Sequence, residues 1–219
     1  MSMFRIKICG VTRPDDAVAI AEAGADAIGV NFYPLSPRFL SDERAAEVLA
    51  ALPQGVAKVG VFVNAGALEI RDKVQRLGLD YVQLHGDEPP QIIALLAGIP
   101  VIRTLRLRPG DTAPKILPAS GEASRLPIAL LVDAAAPGAY GGTGQTVDWT
   151  VVPLLRRQSV GLPIILAGGL TPENVAEAIN ISGADCVDTA SGVESSLGVK
   201  DWNKVRAFVA SARTALAFL

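Results

Sequence analysis

Short apolar runs recur along the chain, each without polar alternation and each followed by a stretch with helical spacing. The runs predict strands over 4–9, 26–32, 57–63, 81–84, 101–107, 128–133, 163–167 and 185–188. Between them the spacing predicts helices over 15–23, 42–51, 67–77, 90–96, 149–157 and 172–181, a short one near 112–117, and a long one from Trp202 onward. Strands that read apolar on both faces are buried on both faces, the habit of parallel pairing between helices. Right-handed crossovers wind such units one way, and eight of them close into a (β/α)8 TIM barrel, an α/β fold. The chain reads as one catalytic domain over residues 1–219.

The joints agree with this count. Gly24-Ala25-Asp26, Gly78-Leu79-Asp80 and Gly183-Ala184-Asp185 each end a helix on glycine and lead into a strand. Glycine tolerates the left-handed conformation that such helix ends need. The segment 109–127 is rich in Pro, Gly, Ser and Ala and reads as a long loop. A doubly wound open sheet is the competing fold, but its sign is a G-x-G-x-x-G turn after the first strand. Here that strand ends Ile8-Cys9-Gly10-Val11-Thr12-Arg13.

Composition narrows the function. Of 219 residues, 50% are hydrophobic and 19% charged, which fits a globular chain and not a disordered one. The net charge is −2 without blocks of one sign, so neither nucleic acid nor a membrane surface is an expected partner. No apolar run reaches the length of about 18 residues that a membrane span needs. The 2 cysteines do not make a disulfide framework. With no secretory leader in MSMFRIKICG, a cytoplasmic location is expected.

Barrel enzymes carry their chemistry at the C-terminal ends of the strands. The unexpected polar residues and glycine clusters fall there. Cys9 ends the first strand and Asp133 the sixth. A free cysteine is more often a small core residue, yet a thiol on the rim could serve as a base if a cation such as Lys7 favoured the thiolate. A carboxyl closing an apolar strand is costly without partners or a task, and suits a general acid; bracing a loop is the other reading. Arg38, in a proline-bracketed loop, is either a surface arginine or a planar partner for a carboxylate. His85 is the one histidine, a candidate proton shuttle and substrate contact, and one histidine builds no zinc site. Gly168-Gly169 and Ser191-Gly192 occupy the loops after strands seven and eight, where barrels often hold phosphate on backbone N–H groups. Gly142-Thr143-Gly144 adds a third such loop, after strand six.

Lys7-Ile8-Cys9-Gly10, Ser36-Pro37-Arg38, Val61-Phe62-Val63, Val82-Gln83-Leu84-His85-Gly86, Gly141-Gly142-Thr143-Gly144, Ala167-Gly168-Gly169-Leu170 and Ser191-Gly192-Val193-Glu194 stand in one order along the chain. So arranged, with Gly198-Val199-Lys200-Asp201 beyond them, the set resembles the phosphoribosylanthranilate isomerase family of tryptophan biosynthesis. The likeness runs from Phe4 to about Phe208. It implies an Amadori rearrangement of N-(5-phosphoribosyl)anthranilate to 1-(2-carboxyphenylamino)-1-deoxyribulose 5-phosphate, without cofactor or metal. It implies Asp133 as general acid on the ribose ring oxygen and Cys9 as general base at C2′. Arg38 would face the anthranilate carboxylate, and the glycine loops would hold the phosphate. The expected partner is this small phosphorylated substrate, the expected state a monomer or homodimer. Asn31, Ala134 and Ala190 depart from the family pattern, and 109–127 is longer than usual. The histidine-pathway isomerase runs the same rearrangement from a pair of aspartates, and the first strand here offers Cys9. Epimerases of this fold need a metal and several histidines. A catalytically silent phosphate-binding barrel would lack the acid or the base.

Overall fold

The computed structural model describes residues 3–108, 111, 126–135, 146–159 and 161–218. Eight parallel strands, β1 (Ile6–Cys9), β2 (Ala27–Asn31), β3 (Ala57–Phe62), β4 (Tyr81–Leu84), β5 (Val101–Leu107), β6 (Ala129–Ala134), β7 (Ile164–Leu166) and β8 (Cys186–Thr189), form a closed barrel in chain order. Closure comes from β1 on β8, with Lys7 beside Asp188. Helices α1 (Pro14–Glu22), α2 (Asp42–Ala50), α3 (Ala67–Leu77), α4 (Ile92–Leu95), α5 (Val152–Gln158), α6 (Val175–Ser182) and α7 (Trp202–Leu216) stand between or after the strands.

Side chains alternate in and out along each strand. Ile6, Ile8, Val30, Leu84, Val132, Leu166 and Val187 face outward and pack with the helices in one large core. Phe4, Ala27, Val59, Tyr81, Ile102, Ala129, Leu131, Ile165 and Cys186 fill the barrel. The same inward parity continues one step toward the C-terminal rim, and there the residues turn polar. Leu131 is followed inward by Asp133, Tyr81 by Gln83 and then His85, Ile102 by Thr104, and Cys186 by Asp188.

The repeated joints have a second use. Gly78 and Gly183 close α3 and α6 in the left-handed conformation. The aspartate that follows each joint caps a neighbouring strand. Asp26 Oδ2 accepts from the backbone N–H of Arg5 and Ile6, Asp80 Oδ2 from Lys58, and Asp185 Oδ2 from Ile164. These N–H groups start their strands and would otherwise lack a partner.

Several bounds differ from the sequence reading. The stretch 149–157 opens as a 3-10 turn, Trp149–Val151, before α5, because Pro153 suits only a first helical turn. The predicted start at Pro172 is a turn, in which the Asn174 side chain takes the Thr171 N–H and donates to Gly169 O, and α6 begins at Val175. The short helix expected near 112–117 lies outside the described residues. A hairpin that periodicity did not announce, β9 (Glu194–Ser196) with β10 (Val199–Lys200), follows β8.

Candidate active site

β1 delivers Cys9 and Lys7 to the barrel interior, two residues apart and side by side. Gly29 on β2 makes room for them, since a Cβ there would lie 2.7 Å from Cys9 Sγ and 3.1 Å from Lys7 Cε. Lys7 is fully buried and donates to Asp188 Oδ2 at 2.8 Å. Burial alone would draw the Lys7 ammonium down, but Asp188 and Cys9 more than offset that and hold it above its ordinary value. Burial pushes the Cys9 thiol up, against the pull of Lys7. Barrel closure also gives the lysine a carboxylate partner in Asp188.

Asp133 sits on β6 with 7% exposure. Its Oδ1 accepts from the Ala134 N–H at 2.8 Å, and Oδ2 lies 3.1 Å from His85 Nε2. The other ring nitrogen, Nδ1, has Gln83 Nε2 at 2.8 Å and Thr104 Oγ1 at 3.3 Å. His85, expected as a substrate contact, thus has its ring engaged with Asp133.

Arg38 is buried in the loop after β2. Its Nε and Nη2 each donate to Glu194 at 2.7 Å, one to each carboxylate oxygen. The chain also passes over Gly10, whose missing Cβ would stand 2.2 Å from Arg38 Cδ. Lys200 completes the cluster. Its Nζ donates to Cys9 O at 2.7 Å, Ala190 O at 3.0 Å and Glu194 Oε1 at 3.0 Å, which uses all three of its hydrogens. Burial would push the Glu194 carboxyl up, yet Arg38 and Lys200 hold it below its ordinary range.

The late glycines lie in the loops after β7 and β8. Gly168 and Gly169 take φ of 82° and 62°. Ser191 and Gly192 lie in a 3-10 turn, Ser191–Val193. Gly192 passes so close to the other loop that a Cβ would fall 1.9 Å from Leu170 O, and Thr189 Oγ1 donates to that same oxygen at 2.7 Å. Gly142, Thr143 and Gly144 lie outside the described residues. Among the described residues no group of three or more His, Cys, Asp or Glu could hold a metal ion, and no helix is long and apolar enough to cross a membrane.

Sequence reasoning did not single out Gln83, Asp188, Glu194 or Lys200 as site residues. Glu194 and Lys200 stand in quoted motifs, but nothing in either motif names Arg38 or Cys9 as its partner. Period-two parity through Lys7 and Cys9 was the available signal for the interior pair.

A closed parallel barrel whose interior turns polar at the C-terminal rim, with a thiol, a carboxyl and an arginine on that rim, defines a TIM-barrel enzyme. Its relatives narrow the class. The chain belongs to the N-(5′-phosphoribosyl)anthranilate (PRA) isomerase family, whose profile matches residues 6–211. It is 48% identical over 213 residues to N-(5′-phosphoribosyl)anthranilate isomerase of Acidithiobacillus ferrooxidans, covering 97% of this chain and 99% of that one. It is similar to a phosphoribosylanthranilate isomerase solved in complex with reduced 1-(o-carboxyphenylamino)-1-deoxyribulose 5-phosphate, at 32% identity and TM-score 0.77 over 97% of this chain and 100% of that one. A structure of monomers generated from the dimeric enzyme of Thermotoga maritima gives 32% identity and TM-score 0.78, covering 97% and 100%.

Proposed function

We propose that the chain, as one catalytic domain over 1–219, converts N-(5-phosphoribosyl)anthranilate to 1-(2-carboxyphenylamino)-1-deoxyribulose 5-phosphate in tryptophan biosynthesis. The observation that carries this reading is the pairing of unlike proton carriers on one rim: Cys9 ending β1, and Asp133 on β6 with His85 against it. A relative with the same fold binds the reduced product.

Asp133 gives a proton to the ribose ring oxygen. The C1′–O bond breaks as the anilino nitrogen shares its lone pair, and an iminium forms. Cys9 then takes the proton from C2′, and the electron pair returns to nitrogen through an enolamine. Tautomerisation to the ketone, with a proton delivered to C1′, completes the rearrangement. Proton transfers suffice, so no cofactor or metal is called for. Arg38 gives two of its five N–H donors to Glu194, and the others are left to meet the anthranilate carboxylate. The backbone at Gly168-Gly169 and Ser191-Gly192, with Gly142-Thr143-Gly144, holds the phosphate. His85 contacts the sugar where it reaches Asp133. The enzyme works in the cytoplasm as a monomer or homodimer, and its two free cysteines fit a reducing compartment.

The assay follows loss of substrate fluorescence with freshly made phosphoribosylanthranilate. Asp133→Asn and Cys9→Ser should each cut turnover by at least about 100-fold, the scale of a lost general acid or base. Arg38→Ala should raise KM strongly. Near wild-type turnover in either of the first two sinks the assignment.

A further inference from the structure

We propose that Gln83 and Thr104 fix His85 in the tautomer that carries its proton on Nε2, making His85 a positioning residue for Asp133. This rests on the acid role given to Asp133 above and says how that carboxyl is held.

The four side chains come from three adjacent strands. Gln83 lies on β4 and His85 one residue past its end, on the same face. Thr104 is on β5 and Asp133 on β6. The His85 backbone is pinned, with its N–H on Phe62 O at 2.8 Å and the next N–H, of Gly86, on the Glu88 carboxylate at 3.1 Å. His85 as a whole is 7% exposed.

A neutral imidazole has one donor nitrogen and one acceptor. Nε2 looks at Asp133 Oδ2. Once Asp133 has given up its proton, a lone pair on Nε2 would meet the lone pairs of the carboxylate, so in that state Nε2 bears the hydrogen and Nδ1 is left to accept. Gln83 can turn either end of its amide toward Nδ1, and only the NH2 end matches an acceptor. Thr104 Oγ1, 3.3 Å from the same nitrogen, then supplies a second donor, a hydroxyl. Gln83 Oε1 is buried without a partner among the described residues. Turning the amide over would set that oxygen against the ring, and would suit only a ring protonated on Nδ1. The amide keeps its donor on His85 and leaves its own oxygen unpaired.

The arrangement has a direction. A hydrogen bond to a charged acceptor is stronger than one to a neutral acceptor. The Nε2–H bond therefore tightens as Asp133 gives its proton away. It also holds Oδ2 in one orientation.

One histidine in the chain makes the test direct. In the whole 15N-labelled protein near neutral pH, the two ring nitrogens of His85 should read as protonated at Nε2 and bare at Nδ1. A proton on Nδ1, or an imidazolium, overturns the proposal. Gln83→Glu places an acceptor at Nδ1, so it should move the ring signals to an Nδ1-protonated form and lower kcat. An unchanged ring spectrum in that variant overturns the proposal, and Glu keeps the size of Gln if larger changes fail to fold. His85→Leu should lower kcat by about 10- to 100-fold, the scale of a hydrogen bond to a charged group, with KM little changed. His85→Gln, whose amide can still donate toward Asp133, should recover part of that loss. Unchanged kcat in His85→Leu, or equal losses in the two variants, overturns it. A wild-type protein inert toward phosphoribosylanthranilate would defeat the reaction assigned above, while the nitrogen spectrum, which needs no substrate, would still decide the tautomer.

Discussion

Arg38 grips Glu194 through two parallel hydrogen bonds of 2.7 Å, across 156 residues of chain. Both side chains are buried, and Lys200 stands on the same carboxylate. Two cations and one anion out of water depend on each other for solvation. The carboxylate also turns the guanidinium, so that its remaining donors face one way.

Glu194→Ala should accordingly destabilise the fold by about 3–5 kcal/mol, because it strands two buried cations. Urea unfolding measures this, and a loss below about 1 kcal/mol would contradict it. KM should rise in the same variant. The pH dependence has a definite sign. Glu194 titrates lower folded than unfolded, so its stabilisation is present above the unfolded carboxyl pKa of about 4.3 and is lost as pH falls through the lower folded value.

Gly10→Ala tests how Arg38 is seated. Gly10 takes φ of 67°, and a methyl there would meet Arg38 Cδ at 2.2 Å. The arginine stem must move and the backbone is strained, at a cost of about 1–3 kcal/mol. The variant should show a raised KM, with kcat less affected. Wild-type KM would mean that Arg38 does not meet substrate from this position.

As the proposed base, Cys9 would give the reaction its pH dependence. Only the thiolate form of that base can take a proton, and burial sets the thiol above its ordinary value. With Lys7, Asp188 and Lys200 around it, kcat/KM should climb with pH through the neutral range and beyond. Lys7→Met removes the cation that draws the thiol down, so it should move that rise to higher pH. Alkylation by iodoacetamide, followed by mass spectrometry, should shift the same way. Cys186, pushed up to about 12 by burial, should stay unmodified. An alkylation profile unmoved by Lys7→Met would count against the coupling.

Gly192→Ala tests the proposed phosphate loops. A Cβ 1.9 Å from the Leu170 carbonyl meets backbone, which cannot swing aside, so the two loops must part. A displacement on the order of 1 Å can cost up to about 100-fold in binding or rate. Inhibition by inorganic phosphate should weaken together with substrate binding. Unchanged phosphate inhibition would move the cradle elsewhere.

The barrel was legible because its evidence is local. Most strand positions are apolar on both faces, each helix has its own spacing, and the Gly-x-Asp joints repeat. The bounds that slipped, at Trp149 and Pro172, are places where a proline or an asparagine makes a turn that resembles a helical start. The rim was legible too, because strand ends follow from strands, and the ordered motifs supplied the family. The pairings were not legible. Lys7 meets Asp188 across 181 residues, and Arg38 meets Glu194 only once β8 has closed on β1. Sequence put Lys7 beside Cys9 correctly, but closure supplied the carboxylate that claims its charge.

That closure has a consequence for the chain as it is made. β1 needs β8 as its second neighbour, and Lys200 must come back to the Cys9 carbonyl. Ribosomes add about 5–20 residues per second, so Cys9 waits roughly 10–40 s for Lys200 to be synthesised. Throughout that interval one side of β1 is an unpaired apolar edge, open to mispairing with other nascent chains.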